Sequence, residues 1–129
     1  MSFQQAAWNY KKNAILTATP EKLIVMMYDG AIQNLEKARK ILKETSNKYS
    51  PSAGEALGKA LAIVGELRSS LNMEKGGEIA QNLDRLYEFS SFRIMEANMN
   101  RNTKPIEETL TILRTLKEGW EGIVERTAR

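Results

Sequence analysis

Two adjacent acids, Glu107 and Glu108, are the first candidates for chemistry, since paired carboxylates can serve as a general acid and base. The chain contains no histidine and no cysteine. Their absence removes the commonest general base, thiolate nucleophiles, disulfides and the usual zinc ligands. Di-iron helical bundles use Glu-x-x-His motifs, which this chain cannot form. Glu107 and Glu108 begin a predicted helix, where acids favour the positive end of the helix dipole. We therefore predict no enzyme activity, no metal and no cofactor.

A glycine pair, Gly76-Gly77, precedes another predicted helix and could in principle cradle a phosphate. The surrounding residues lack the Gly-x-x-x-x-Gly-Lys pattern of a phosphate-binding loop. A plain turn is the better interpretation. A histidine phosphotransfer bundle is excluded because its reactive residue is missing.

The charge of the chain gives little support for an anionic partner such as nucleic acid. The formal net charge is +3, with 19 basic residues interspersed among 16 acidic ones. No dense run of Lys or Arg occurs, so we expect no nucleic-acid partner. The longest apolar run, residues 23–28, is far shorter than a membrane span. The N-terminus lacks the apolar core of a signal peptide. These features predict a cytoplasmic protein without stable membrane insertion.

Four segments carry apolar residues at helical spacing, and none alternates with the period of a strand. We predict helices at about 20–43, 52–72, 77–101 and 104–126. The first begins at Thr19-Pro20, a good N-cap before a proline. A capping box of Ser52 and Glu55 is expected to open the second. Short polar loops between amphipathic helices predict an all-α fold, an antiparallel up-down four-helix bundle formed by residues 19–129.

The apolar positions also predict which faces are buried. In the first bundle helix they recur in alternating steps of four and three, at Ile24, Tyr28, Ala31, Leu35, Ala38 and Leu42. In the third they include Ile79, Leu83, Leu86, Ser90, Ile94 and Ala97. Residues 1–18 form a separate segment that carries Phe3, Trp8, Tyr10, Ile15 and Leu16. A disordered tail rarely contains so many apolar side chains, so we expect a mobile cap that packs reversibly on the bundle.

Small residues form a second pattern, away from the predicted core. Each interior glycine costs about 0.5–1 kcal/mol relative to alanine. Close packing inside the bundle, or mere tolerance of glycine, is one explanation, and shallow grooves that accept a partner's helices are the other. The six methionines, among them Met26, Met27, Met95 and Met99, would suit an adaptable binding surface or an ordinary core. The residues of this pattern are Gly58, Ala62, Gly65 and Ser69 in the second helix and Ile112, Thr115, Gly119 and Gly122 in the fourth.

Three blocks of the chain resemble the flagellin-specific flagellar export chaperone family. Residues 10–32, YKKNAILTATPEKLIVMMYDGAI, resemble the family's N-terminal signature, with Thr19 in place of Ser and Met27 in place of Leu. Residues 71–83 resemble the linker into its third helix. Residues 86–98 resemble its Leu-Tyr and Arg…Glu-Ala-Asn pattern, and Trp120 fits a tryptophan near the C-terminus. The signature positions are Tyr10, Asn13, Leu16, Thr17, Ala18, Pro20, Leu23, Tyr28, Asp29 and Gly30.

The resemblance implies a cytoplasmic chaperone that binds the disordered C-terminal segment of flagellin, prevents its premature polymerisation and delivers it to the flagellar type III export gate. It implies a helical bundle around which the client wraps, with the chaperone's N-terminal segment covering part of that surface when no client is bound. On this basis we predict client binding at the two groups of small residues. Tyr10, Ile15 and Leu16 are predicted to act in the N-terminal cap or in export-gate recognition.

Two other functions fit the residues without the resemblance. One is a helical interaction domain with a different partner. The other is a weak nucleic-acid binder, whose affinity would fall steeply with salt.

Overall fold

The computed structural model describes residues 2–17, 19–44 and 48–127, and every regular element in them is a helix. The side chains of Trp8, Tyr10, residues 14–17 and Thr127 lie outside the described part. The five helices are α1 (Phe3–Thr17), α2 (Pro20–Lys43), α3 (Pro51–Ser69), α4 (Met73–Asn100) and α5 (Lys104–Thr127).

Helices α2 to α5 form the bundle. Helix α2 packs against α3 and α5, and α4 packs against the same two helices. Helices α2 and α4 are therefore diagonal to each other, as are α3 and α5. Because the connections are short, consecutive helices run antiparallel. The prediction of an all-α, up-down four-helix bundle is confirmed.

Capping residues explain where the helices begin. The Thr19 side chain accepts a hydrogen bond from the backbone N–H of Lys22 at 3.2 Å, ahead of Pro20 at the first helical position. Helix α3 begins at Pro51 because Ser50 is its N-cap, rather than the expected Ser52. It ends at Ser69, three residues before the expected end at residue 72.

Helix α4 begins at Met73, with Asn72 as its N-cap, four residues before the expected start at residue 77. The helix continues through the glycine pair, but Gly77 has φ 52° and ψ −129° and breaks the helical geometry there. This positive φ favours glycine. A Cβ atom on Gly76 would lie 2.6 Å from the Cβ of Ala80, so Gly76 is needed for close packing. The two glycines are therefore explained by the backbone conformation at Gly77 and the close packing at Gly76, without a bound phosphate.

The core lies between the four bundle helices. The expected stripe of α2 is buried from Tyr28 onward, while Ile24 is partly buried against the core. The expected burial of Ile79 is wrong: its side chain is 72% exposed, and it lines the open edge of an apolar cavity near the start of α4. The largest fully buried side chains are Tyr28, Tyr87, Leu35, Leu57, Leu67, Ile94, Ile106, Leu110, Leu113 and Val64.

The apolar run at the start of α2 contacts neighbours on several sides. Val25 shares a cavity of about 330 Å³ with Glu121 and Val124 of α5. Met26 borders a smaller cavity with Lys11 of α1. On a third side, a Cβ atom on Gly30 would lie 3.2 Å from the Cδ1 atom of Ile63 in α3. The run can therefore be apolar on more than one face because three helices approach it.

The N-terminal segment forms a helix, α1. Its Lys11 lines a cavity together with Met26 and Gln33 of α2, so α1 lies beside α2 at this point. The expectation that Phe3 anchors this segment is wrong, because its side chain is 96% exposed. Tyr10, Ile15 and Leu16 have side chains outside the described part. Among residues 2–17, 19–44 and 48–127, no helix combines the length and the apolar character needed to cross a lipid bilayer.

Candidate functional site

Both acids at the start of α5 form ion pairs with residues of neighbouring helices. Glu107 lies 3.7 Å from the Nζ atom of Lys43 in α2. Glu108 accepts a hydrogen bond from Arg93 of α4, which also donates to Glu96. Among the described residues, no three acidic side chains cluster closely enough to hold a metal ion. The acids thus join α5 to its two neighbours.

Tyr28 of the signature forms a buried polar contact between two helices. Its hydroxyl is hydrogen bonded to the hydroxyl of Tyr87 in α4, and Trp120 of α5 lines the same cavity as Tyr87. The two tyrosine rings lie 6.4 Å apart at 45°. Buried hydroxyl groups without partners are costly, so this pair fixes the relative position of α2 and α4.

Alkaline pH is expected to unfold the protein through this pair. Burial, followed by the hydrogen bond to Tyr87, raises the pKa of Tyr28 from its ordinary value of 10.0, and burial also raises the pKa of Tyr87. Above about pH 10 the unfolded chain loses tyrosine protons that the folded chain keeps, so the free energy of unfolding falls as pH rises. The ionisation of both tyrosines should coincide with loss of the far-ultraviolet circular dichroism signal. Ionisation that precedes unfolding would contradict this.

Asp29, the second signature residue, forms an ion pair with Lys117 of α5. The sequence left the partner of Asp29 open, and the structure places this ion pair across the interface between α2 and α5. The hydrogen bond to Asp29 raises the pKa of Lys117. Together with Gly30 against α3, the signature Tyr28-Asp29-Gly30 contacts all three other bundle helices.

An apolar cavity of about 220 Å³ opens at the same end of the bundle, beside Tyr87 and Trp120. Gly76 and Ile79, which lie on either side of the break at Gly77, both line this cavity. Its other apolar lining residues are Ile24, Leu67, Leu71, Ala80 and Leu83.

The small residues of α3, which we call the α3 strip, are all exposed: Gly58, Ala62, Gly65 and Ser69. A Cβ atom on Gly58 or Gly65 would have no atom within 4 Å. Close packing inside the bundle, one of the explanations considered, is therefore wrong for these glycines. At about 100° per residue the α3 strip points away from the buried face and toward solvent.

Neighbouring contacts show that the α3 strip borders α4. Arg68 pairs with Asp84 of α4 at 2.7 Å, and Gly65 lies one turn before Arg68 on the same flank. A Cβ atom on Gly54 would lie 3.4 Å from the Oδ1 atom of Asn98 in α4, and Gly58 lies one turn after Gly54.

The corresponding residues of α5, the α5 strip, border α4 from the other side. Glu108 pairs with Arg93 of α4, and Ile112 follows Glu108 by one turn on the same flank. Ile112 is half-buried, whereas Thr115 and Gly119 are exposed. A Cβ atom on Gly119 would also meet open space.

Between the two strips, α4 exposes four large apolar side chains that we call the α4 ridge. Phe89 is 48% exposed, Phe92 60%, Met95 40% and Met99 78%. At about 100° per residue, Phe92, Met95 and Met99 fall within roughly 60° of one another and point away from the buried Ile94. Exposed apolar residues concentrated in this way are typical of an interaction site.

The structure thus brings the two predicted groups of small residues onto one face, with the α4 ridge between them. Sequence reasoning identified both strips and named four methionines, of which Met95 and Met99 lie on the ridge, but missed Phe89 and Phe92. The signal was available: these two residues fall off the stripe that ends in Ile94 and Ala97, so the core does not account for them. The ridge and the two strips are therefore candidates for one binding surface, on which the small residues leave room on either side of the ridge.

Comparison with known families gives a match over nearly the whole chain. The model of the family described as "Flagellar protein FliS" matches residues 3–127. The flagellar secretion chaperone FliSB of Pseudomonas aeruginosa is 40% identical over 106 residues, 82% of each chain. The flagellar secretion chaperone FliS of Salmonella typhimurium is 38% identical, covering 87% of this chain and 82% of the relative. That of Vibrio cholerae is 37% identical, covering 88% and 85%.

A solved structure agrees with the fold. The crystal structure of a flagellar chaperone from bacteria superposes with a TM-score of 0.75 at 26% identity. The match covers 97% of this chain and 99% of the other.

Proposed function

The chain belongs to the FliS family of flagellar secretion chaperones, and from this premise we propose that it binds the disordered C-terminal segment of flagellin in the bacterial cytoplasm. Bound in this way, flagellin is prevented from polymerising early and is delivered to the flagellar type III export gate. The family is one of chaperones, not enzymes, in agreement with the expectation drawn from the missing histidine and cysteine.

The observation that carries the proposal is the α4 ridge lying between two strips of small residues. An amphipathic helix docks by placing its apolar face in a groove, which needs a close backbone approach. The α3 strip supplies this through Gly58 and Gly65, and the α5 strip through Gly119, because none of the three has a neighbour over its Cα atom. The ridge side chains supply apolar contacts between the two strips.

The extent of this face suits a disordered client. A segment that folds on binding loses conformational entropy, so it requires contacts spread over a large apolar area. The ridge spans residues 89–99, about 15 Å of helix at 1.5 Å per residue. Docked helices would cover the side chains that the free protein exposes.

The N-terminal segment, residues 1–18, completes the proposal as a cap that competes with the client. In the free protein its helix α1 lies beside α2 at Lys11, diagonally across the bundle from α4, so acting as a cap requires α1 to leave α2 and reach the α4 face. Tyr10, Ile15 and Leu16 would form the capping or gate-recognition contacts. Removing residues 2–17 should then raise the affinity for the client.

The direct experiment is calorimetric titration with a peptide of the flagellin C-terminal segment from the same bacterium. Binding should show a large negative heat-capacity change and a gain in helical circular dichroism, because apolar surface is buried as the client folds. Absence of binding at high micromolar concentrations would refute the proposal.

Replacing Gly65 with leucine is expected to weaken client binding about tenfold, because the new side chain projects from the surface of α3 on which the client helix is proposed to dock. The fold should tolerate it, since the position has open space above it. Calorimetric titration of both proteins measures the difference. Gly65→Ala should raise the free energy of unfolding by about 0.5–1 kcal/mol through helix propensity alone.

The matched control is Lys59→Leu, which adds the same side chain to the exposed surface of α3 outside the α3 strip. Its only described ion pair is an exposed one to Glu55, worth little. Client binding should stay within about twofold of the unaltered protein. Equal affinity of the Gly65→Leu and Lys59→Leu proteins would remove the α3 strip from the site.

A further inference from the structure

Helix α4 exposes three methionines, and two of them belong to the α4 ridge. Met95 and Met99 lie one turn apart, on the same side as Phe92. Met73, at the start of α4 and away from the ridge, is exposed to a similar degree as Met95. Met26 and Met27 in α2 are only partly exposed. Oxidants in solution therefore reach the three methionines of α4 more readily than those of α2.

We propose that Met95 and Met99 are oxidation sites through which hydroperoxides weaken client binding. The inference rests on the proposed function, since it concerns the same face. The methionine sulfur attacks one oxygen of the hydroperoxide, so an S–O bond forms as the O–O bond breaks. The sulfur loses two electrons, and the other peroxide oxygen takes up the proton and leaves as water or an alcohol. A thiol-dependent sulfoxide reductase reverses the change.

The physical reason for the effect is the chemistry of the ridge. Unmodified, Met95 and Met99 are flexible apolar side chains suited to packing against a docked helix. A sulfoxide adds a strong hydrogen-bond acceptor, and Phe89 and Phe92 beside it have no donor to satisfy it. Burying an unsatisfied polar group costs binding, and about tenfold is expected when both sulfurs are oxidised.

Oxidation should leave the bundle itself intact. The described core contains no methionine, and Met95 and Met99 point away from it. Oxidation of Met95 and Met99 should therefore change only the binding surface. Loss of the helical circular dichroism signal after mild oxidation would overturn the proposal.

The experiment treats the full chain with hydrogen peroxide, locates the added oxygen by peptide mass spectrometry, and titrates each sample with the flagellin C-terminal peptide. Met73, Met95 and Met99 should be modified before Met26 and Met27, and affinity should fall about tenfold. The double variant Met95→Leu/Met99→Leu keeps side-chain volume and should lose less than twofold on the same treatment. Met73→Leu, the matched control, should remain as sensitive as the unaltered chain.

The outcomes separate this inference from the function on which it rests. Failure of the untreated chain to bind the peptide would refute the proposed function. Binding by the untreated chain with equal affinity after oxidation of Met95 and Met99 would refute the inference alone. Equal peroxide sensitivity of the double variant would also refute it.

Discussion

Replacing Phe92 with aspartate is expected to weaken binding of the flagellin C-terminal segment about 100-fold. Phe92 lies in the middle of the α4 ridge, where a docked client would bury it, and large aromatic residues at the centre of an interface carry much of the binding energy. Aspartate removes that contact and introduces a charge that binding would desolvate. Calorimetric titration measures the loss, and Phe92→Leu should give a smaller one.

The fold should not change, because the Phe92 side chain is exposed and lies outside the core. Lys37→Gln is the matched control: it lowers the net charge by the same one unit on the exposed surface of α2, which is diagonal to α4. Client affinity of the control should be nearly unchanged. A Phe92→Asp protein that binds within threefold of the unaltered chain would exclude the α4 ridge as the binding surface.

Replacing Tyr28 with alanine is expected to lower the free energy of unfolding by about 3–5 kcal/mol, as for other large aromatic residues in a core. Tyr28 is fully buried, and its removal leaves a cavity between α2, α4 and α5. It also leaves the Tyr87 hydroxyl without its partner. Urea unfolding followed by circular dichroism gives the change. A loss below 1 kcal/mol would contradict the central role of Tyr28.

Conservative variants separate the hydroxyl group from the ring. Tyr28→Phe keeps the ring but leaves the Tyr87 hydroxyl without its partner, at a cost of about 1–3 kcal/mol. The double variant Tyr28→Phe/Tyr87→Phe should lose less than the sum of the two single changes, because neither hydroxyl then remains unpaired. Additive losses would mean that the two hydroxyl groups do not interact.

The fold could be predicted because helical spacing and helix caps are local properties of the sequence. Thr19-Pro20 and the apolar stripe of α2 needed no tertiary information. The prediction for the start of α4 is wrong because it places the glycine pair at the end of the loop, although Asn72 is a local N-cap signal and the helix continues through the pair. The exposure of Ile79 could not be predicted, because its helical phase is that of Leu83 but it lies at the open edge of the cavity.

The candidate site was only partly predictable, since it depends on which helices are neighbours. The spacing of Gly58 and Gly65 marked a strip, but only the contact between Arg68 and Asp84 shows that α4 lies beside it. The partner of Asp29 was missed for the same reason, because Lys117 is far away in sequence and close only across the helix interface.

The open space over Gly58, Gly65 and Gly119 has a consequence for selectivity. If the client binds as proposed, these glycines set how closely its backbone can approach but have no side chains that read its residues. Discrimination between clients would then fall largely to the α4 ridge, whose phenylalanines and methionines select apolar partners by size and position. Flagellins that differ in most C-terminal residues but keep the apolar positions facing the ridge would share one chaperone.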